Sequence, residues 1–166
     1  MKKKKCIIVD IDNTVCEELF VGNLPTDNTR ESWNEFHEQR HYYTPELYLP
    51  IKQIIRLIES YCEDNDVEVI FLTAREDIKE IRENTEYFIK NNFSFLDNYK
   101  LYMRGNNDFS PSSWVKEGIL VTQILPHYDV VFALDDEENN VNMYVTNNIL
   151  CLKVCKRERS FLCEEK

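Results

Sequence analysis

Short apolar runs alternate along the chain with segments of helical period, and that rhythm restricts the fold more than any other feature. Cys6 to Val9, Val67 to Leu72, Tyr99 to Met103, Val130 to Leu134 and residues 149–154 each read as a strand. Residues 48–62 place Ile51, Ile54, Ile55, Ile58 and Tyr61 or Cys62 on one helical face, with Pro50 near the start. Further helices are expected over 77–91, 114–124 and 138–146. Strands that are apolar throughout, rather than on alternate residues, belong to a parallel sheet covered by helices on both faces. The expected architecture is therefore α/β, with residues 1–166 as a single domain, a length that suits one compact core.

In such a sheet, ligands collect at the carboxyl ends of the strands. The polar residues with chemical potential fall there. Asp10 follows the first strand, Thr73 the second, Arg104 the third, and Asp135 and Asp136 the fourth. One edge of one sheet can gather them all.

Several classes of function are excluded. Only three glycines are present, Gly22, Gly105 and Gly118, so neither a dinucleotide loop nor a nucleotide-kinase phosphate loop can be built within these residues. Phosphate chemistry here must use side chains and a metal. The net charge of −10 argues against a general nucleic-acid coat protein, because non-specific attraction comes from Lys and Arg displacing counterions. It does not exclude a local basic groove. Lys2 to Lys5 precede an apolar run that Asp10 cuts short, too brief for a signal-peptide core, and no run approaches the ~20 apolar residues of a membrane span. The six cysteines form no CxxC pair, so reduced thiols in a cytoplasmic protein are expected.

The Asp10-Ile-Asp12-Asn-Thr14 segment carries the sharpest chemical signal. In an extended strand the two carboxylates would point to opposite sides, but a chain that curls after the strand brings them together. Magnesium takes one or two protein carboxylates and keeps places for water and phosphate, and Asp10 and Asp135 can supply those carboxylates from adjacent strands. A carboxylate is also a competent nucleophile for phosphorus. The second acid, Asp12, can then protonate the leaving oxygen and deprotonate the attacking water. Thr73 and Lys116 suit the task of holding the phosphoryl oxygens. Taken alone, Thr73 also reads as a helix N-cap ahead of Glu76, and Lys116 as an exposed helix charge. Arg75 and Arg104 read as substrate-facing or acid-orienting groups, or as structural ion-pair partners.

These residues together resemble the motifs of the haloacid dehalogenase (HAD) superfamily over nearly the whole chain. The family's DxDxT appears as Asp10 to Thr14, its strand ending in Thr as IFLTAR, its lysine as Lys116 in WVKEG, and its acidic pair as Asp135-Asp136. The resemblance implies a Rossmann-like fold, an Asp10 nucleophile and an Asp12 acid/base. It also implies magnesium (Mg2+) held by Asp10, the Asp12 main-chain carbonyl and Asp135, with Asp136 in or beside the shell. An Asp at position 12 favours phosphatases over dehalogenases.

A closer likeness is to the 3'-phosphatase domain of phage polynucleotide kinase-phosphatases. That domain's MRxxxDxRxDxxVK stands here as MRGNNDFSPSSWVK, keeping Met103, Arg104, Asp108, Val115 and Lys116. Ser110 and Ser112 replace the Arg and Asp of the pattern, and Glu137 stands where an Arg usually follows the acidic pair. The likeness implies a nucleic-acid 3' end or a nucleotide as the phosphorylated substrate, contacted by Thr14, Arg75, Arg104 and Asp108. Two rivals remain: a phosphatase of another small phosphorylated metabolite, and a phosphate-ligand binding module without turnover.

Residues 16–47 break the rhythm with polar and aromatic residues, among them Trp33, Phe36, His37, His41, Tyr42 and Tyr43. An insert directly after the first strand would hang over the carboxyl edge. It reads equally as a partial lid or substrate-contact region and as a surface excursion around an aromatic cluster. His37 and His41 have no acidic or Cys partner to complete a zinc site.

Overall fold

The computed structural model describes residues 3–18, Thr29, Ser32 and residues 48–155. Its centre is a five-stranded, wholly parallel sheet of β1 (Lys4–Val9), β4 (Glu68–Glu76), β5 (Tyr99–Arg104), β6 (Tyr128–Asp135) and β7 (Cys151–Lys153). A separate antiparallel pair consists of β2 (Cys16–Glu18) and β3 (Tyr48–Pro50). The described helices are α1 (Lys52–Asp64), α2 (Lys79–Asn92), α3 (Ser112–Ile119) and α4 (Glu138–Thr146).

The strand order is β5-β4-β1-β6-β7. The chain builds outward from β1 to β5, then returns to the other side of β1 for β6 and β7. At that reversal the connections leave in opposite directions, opening a crevice beyond the strand ends. Asp10 closes the base of this crevice by donating its N–H to Leu134 O at 2.9 Å.

Cys6, Ile7, Ile8 and Val9 are all fully buried, which is why β1 reads as an unbroken apolar run. Ile7 and Val9 pack into a core with Ile55 and Ile58 of α1 and Phe88 and Ile89 of α2. Cys6 and Ile8 face the opposite core, which holds Leu120, Ile124 and, from α4, Met143 and Tyr144. No helix among the described residues is long and apolar enough to cross a membrane.

Three local expectations are corrected. The helix expected over 48–62 begins only at Lys52, because residues 48–50 form β3 and pair with β2. Pro50 ends that strand, where its missing N–H is tolerated, and Ile51 donates to Val15 O at 2.8 Å before α1 starts. The strand expected to end at Leu72 runs on to Glu76, and α2 begins at Lys79 behind an Ile78 cap. Thr73 is therefore a strand residue and not a helix cap. The helix expected over 114–124 starts at Ser112 and widens after Ile119 into a π turn over Leu120–Ile124, with Leu125 N donating to Leu120 O at 2.9 Å. Most of the 16–47 insert, including Trp33, Phe36, His37, His41, Tyr42 and Tyr43, lies outside the described residues.

Phe71 sits at the centre of the first core, fully buried and edge-on to Phe93 at 4.9 Å and Tyr99 at 5.7 Å between ring centroids. Phe71→Ala is expected to cost about 3–5 kcal/mol, the range for deleting a buried aromatic ring. Leu57→Ala, at a position 55% exposed on α1, is expected to stay within about 0.5 kcal/mol of the parent. Urea unfolding midpoints at unchanged m-value measure both.

Candidate active site

The loop after β1 turns back on itself at once. Val15 N and Cys16 N both donate to Ile11 O at 3.0 Å, while Asn13 N donates to Cys16 O at 2.7 Å. Asn13 takes the left-handed conformation, with φ of 60°, that such a curl requires and that Asn tolerates better than most residues. Thr14 Oγ1 is thereby placed to donate to Asp10 Oδ2 at 2.9 Å.

Across the switch point, Lys116 Nζ from α3 donates to Asp10 Oδ1 at 2.7 Å and to Asp135 Oδ2 at 2.6 Å. All three side chains are almost wholly buried. Burial pushes the Asp10 carboxyl up to about 7; Asp135 and Asp12 add to the rise and Lys116 opposes it. Burial works against the Lys116 charge too, but Asp10 and Asp135 outweigh it and hold the ammonium above its ordinary range.

Asp10, Asp135 and Asp136 each offer a carboxylate oxygen, and these oxygens lie within 4.8 Å of one another. A carboxylate carries about four acceptor sites, so the bonds from Thr14 and Lys116 leave Asp10 with lone pairs for a cation. Three oxygens that close, two of them buried, fit a hard divalent ion. A cation bound there would also favour the ionised form of Asp10.

Asp135 is held in place from the side of α4. Its Oδ1 accepts from Glu137 N at 3.1 Å and from Asn140 Nδ2 at 3.0 Å, at the helix end where the dipole favours negative charge. Ser112 Oγ donates to Asn140 Oδ1 at 3.2 Å, and Asn140 Nδ2 also reaches Glu137 Oε2 at 3.2 Å. Ser112 and Glu137, two departures from the family pattern, thus share one network with the carboxylate they flank.

Asp12 faces a different partner. Arg75 grips it with Nε to Oδ2 at 2.9 Å and Nη2 to Oδ1 at 2.7 Å. Such a two-pronged bond fixes the plane of the carboxylate as well as its place. Asp12 does not contribute its carboxylate to the Asp10–Asp135–Asp136 cluster. Thr73 is fully buried, and its Oγ1 accepts from Arg75 N at 3.2 Å. Arg104 donates to three backbone carbonyls, Ala74 O at 2.8 Å, Asp108 O at 2.8 Å and Ser110 O at 2.6 Å. Asp108 accepts from Ser110 N at 2.9 Å. Arg104 and Asp108 therefore shape the 105–111 loop and anchor it to the end of β4.

Sequence reasoning did not single out Asn140, Thr85 or Tyr48. Asn140 and Thr85 carried a readable signal: each is a buried polar residue on an apolar helical face, Asn140 with Met143 and Tyr144, Thr85 with Phe88 and Ile89. Tyr48 carried none, because the helical period of the following residues absorbed it.

Lys116→Met removes the cation shared by two buried carboxylates. The expected cost is roughly 3 kcal/mol in chelator, as for breaking a buried ion pair from one side. Added divalent cation should restore part of it, as read by thermal unfolding with and without the metal.

A family model described as the polynucleotide kinase PNKP phosphatase domain matches residues 4–158. No curated protein matches significantly by sequence. Among solved structures, a chain of the Pnkp1/Rnl/Hen1 RNA repair complex is similar with a TM-score of 0.68 at 22% identity, over 92% of this chain and 42% of that one. A haloacid dehalogenase-like family hydrolase from Streptococcus pneumoniae is similar with a TM-score of 0.60 at 14% identity, over 92% of this chain and 85% of the other. The HAD domain of the effector Lem4 from Legionella pneumophila follows with a TM-score of 0.51 at 13% identity, over 96% and 89%. The chain spans less than half the length of the RNA-repair chains it resembles. The match over residues 4–158 and the HAD-like sheet identify the chain as a member of the polynucleotide kinase PNKP phosphatase domain family, a HAD-type phosphatase.

Proposed function

We propose that the protein is a magnesium-dependent phosphomonoesterase that works through an aspartyl-phosphate and removes phosphate from a nucleic-acid 3' end or a nucleotide. The observation that carries this reading is the buried Asp10–Lys116–Asp135 arrangement beside Asp136 at the strand ends. In the first half-reaction an Asp10 carboxylate oxygen bonds to phosphorus while the bond to the leaving oxygen breaks and Asp12 gives that oxygen its proton. In the second, Asp12 takes a proton from water as the water oxygen attacks phosphorus, releasing inorganic phosphate and restoring Asp10. Magnesium held by Asp10, Asp135 and Asp136, with the Asp12 carbonyl, would supply positive charge to the phosphoryl oxygens. Lys116 and Thr73 balance charge and bond the same oxygens. Thr14 orients Asp10, and Arg75 orients Asp12. Arg104 and Asp108 act on substrate through the loop they shape.

The family description and the RNA-repair context of one similar structure support the nucleic-acid end as substrate. The net charge of −10, with Ser110 and Glu137 at positions where the pattern has Arg, favours the rival of a smaller phosphorylated metabolite. Phosphate release from a 3'-phosphorylated oligonucleotide, 3'-nucleotides and sugar phosphates, compared under one set of conditions, separates the two. Highest kcat/KM on the oligonucleotide is expected; no oligonucleotide turnover would sink this substrate.

Asp10→Asn should lower kcat by roughly 10³-fold or more, since it removes the nucleophile, with the circular dichroism of the parent retained. Removal of magnesium by EDTA should abolish turnover, and added magnesium should restore it. Asp12→Asn should cost roughly 10²–10⁴-fold on esters with poor leaving groups and far less on p-nitrophenyl phosphate, which needs no proton. Equal losses on both would count against the acid/base role.

A further inference from the structure

Arg75 is 5% exposed, and its side chain is held on three sides by three different parts of the chain. Two nitrogens bind Asp12. The remaining nitrogen, Nη1, donates to Thr85 Oγ1 of α2 at 2.9 Å. The guanidinium carbon lies 4.4 Å from the ring centroid of Tyr48, on β3. Tyr48 is in turn seated edge-on against Phe88, with centroids 6.4 Å apart and planes at 65°. Thr85 is fully buried and Tyr48 is 9% exposed.

We propose that Tyr48 and Thr85 are positioning residues for phosphoryl transfer, aligning the Arg75 guanidinium so that its fork fixes the carboxylate of Asp12. The physical reason is that a guanidinium is planar and each of its contacts constrains a different freedom. The ring face sets its plane by cation–π and stacking attraction. The Thr85 hydroxyl sets its rotation within that plane. With both set, Nε and Nη2 have one direction left to point, and Asp12 lies along it. Asp12 sits on a tight loop containing a left-handed residue and has a side chain 20% exposed, so it is not locked by burial as Asp10 is. Placement of a proton-transferring group within a few tenths of an ångström matters to rate far more than to stability.

The inference rests on the acid/base reading of Asp12, and it makes a prediction that a merely structural ion pair does not. A structural role slows all substrates alike, or lowers only the melting temperature. A positioning role slows the substrates that need the proton. The test uses the full chain with magnesium and a series of aryl and alkyl phosphomonoesters of graded leaving-group basicity. For Tyr48→Leu and Thr85→Val, kcat on the most basic leaving group should fall roughly tenfold, a part of the full acid-catalysis term. Loss on p-nitrophenyl phosphate should stay within about twofold, and KM should be little changed in either case. Tyr48→Phe keeps the ring face and Thr85→Ser keeps the hydroxyl, so both should retain the parent profile.

Asp12→Asn in the same series serves as the reference. A leaving-group-dependent loss for Asp12→Asn without one for Tyr48→Leu and Thr85→Val overturns the positioning role alone. No leaving-group dependence for Asp12→Asn overturns the acid/base reading and the inference with it. Thermal unfolding of each variant accompanies the kinetics. Thr85→Val removes only a hydroxyl from the brace and decides the question should Tyr48→Leu fail to fold.

Discussion

The Lys116 ammonium, shared between Asp10 and Asp135, is the interaction on which the site depends. Two carboxylates this deeply buried and this close would repel each other and resist ionisation without a cation between them. A lysine is well suited, because its ammonium is a compact charge with three donors on a flexible stem. Its origin on α3 means that this helix cannot shift along the sheet without separating the charges. The charge pattern and the packing of α3 against the sheet therefore constrain each other.

The two acids of the Asp10–Asp12 segment are separated by their surroundings more than by their positions. Asp10 is enclosed, bonded to Lys116 and Thr14, and adjacent to two further carboxylates that can share a cation. Asp12, two residues on, lies just before the curl at Asn13 and is turned toward Arg75. Burial raises the first, while an arginine fork orients the second. That contrast of environment suits these chemically identical side chains to the separate parts proposed for them.

The peripheral elements hold the groups around these two residues. α4 presents its N-terminal end to Asp135, and Asn140 ties the carboxylate to Ser112 at the start of α3. Arg104 fastens the 105–111 loop to the end of β4 through backbone carbonyls. β3 and α2 brace Arg75 from two sides. Glu137 bonds Asp135 through its N–H, and Ser112 reaches it through Asn140, so both positions belong to the network that holds Asp135.

By itself, the sequence determined the class of fold, because runs such as CIIV and VVFAL can be apolar throughout only if both faces of the strand are covered. It also determined the order in which Asp10, Thr73, Arg104 and Asp135 arrive at one edge, since a parallel sheet places every strand's carboxyl end on the same side. What it left open was which side chains touch. The separation of β3 from α1 was invisible because Tyr48 and Leu49 continue the apolar pattern of the helix that follows, and only pairing with β2 distinguishes them. Thr73 lay within a strand and not at a helix cap because β4, after a register shift beyond Leu72, pairs with β5 again at Glu76 and Arg104, a fact of strand pairing that no local pattern encodes. The grip of Arg75 on Asp12 joins residues 63 positions apart in the chain, and its brace draws on β3 and α2 together. Local periodicity reports which face of an element is buried; only the assembled fold decides what that face meets.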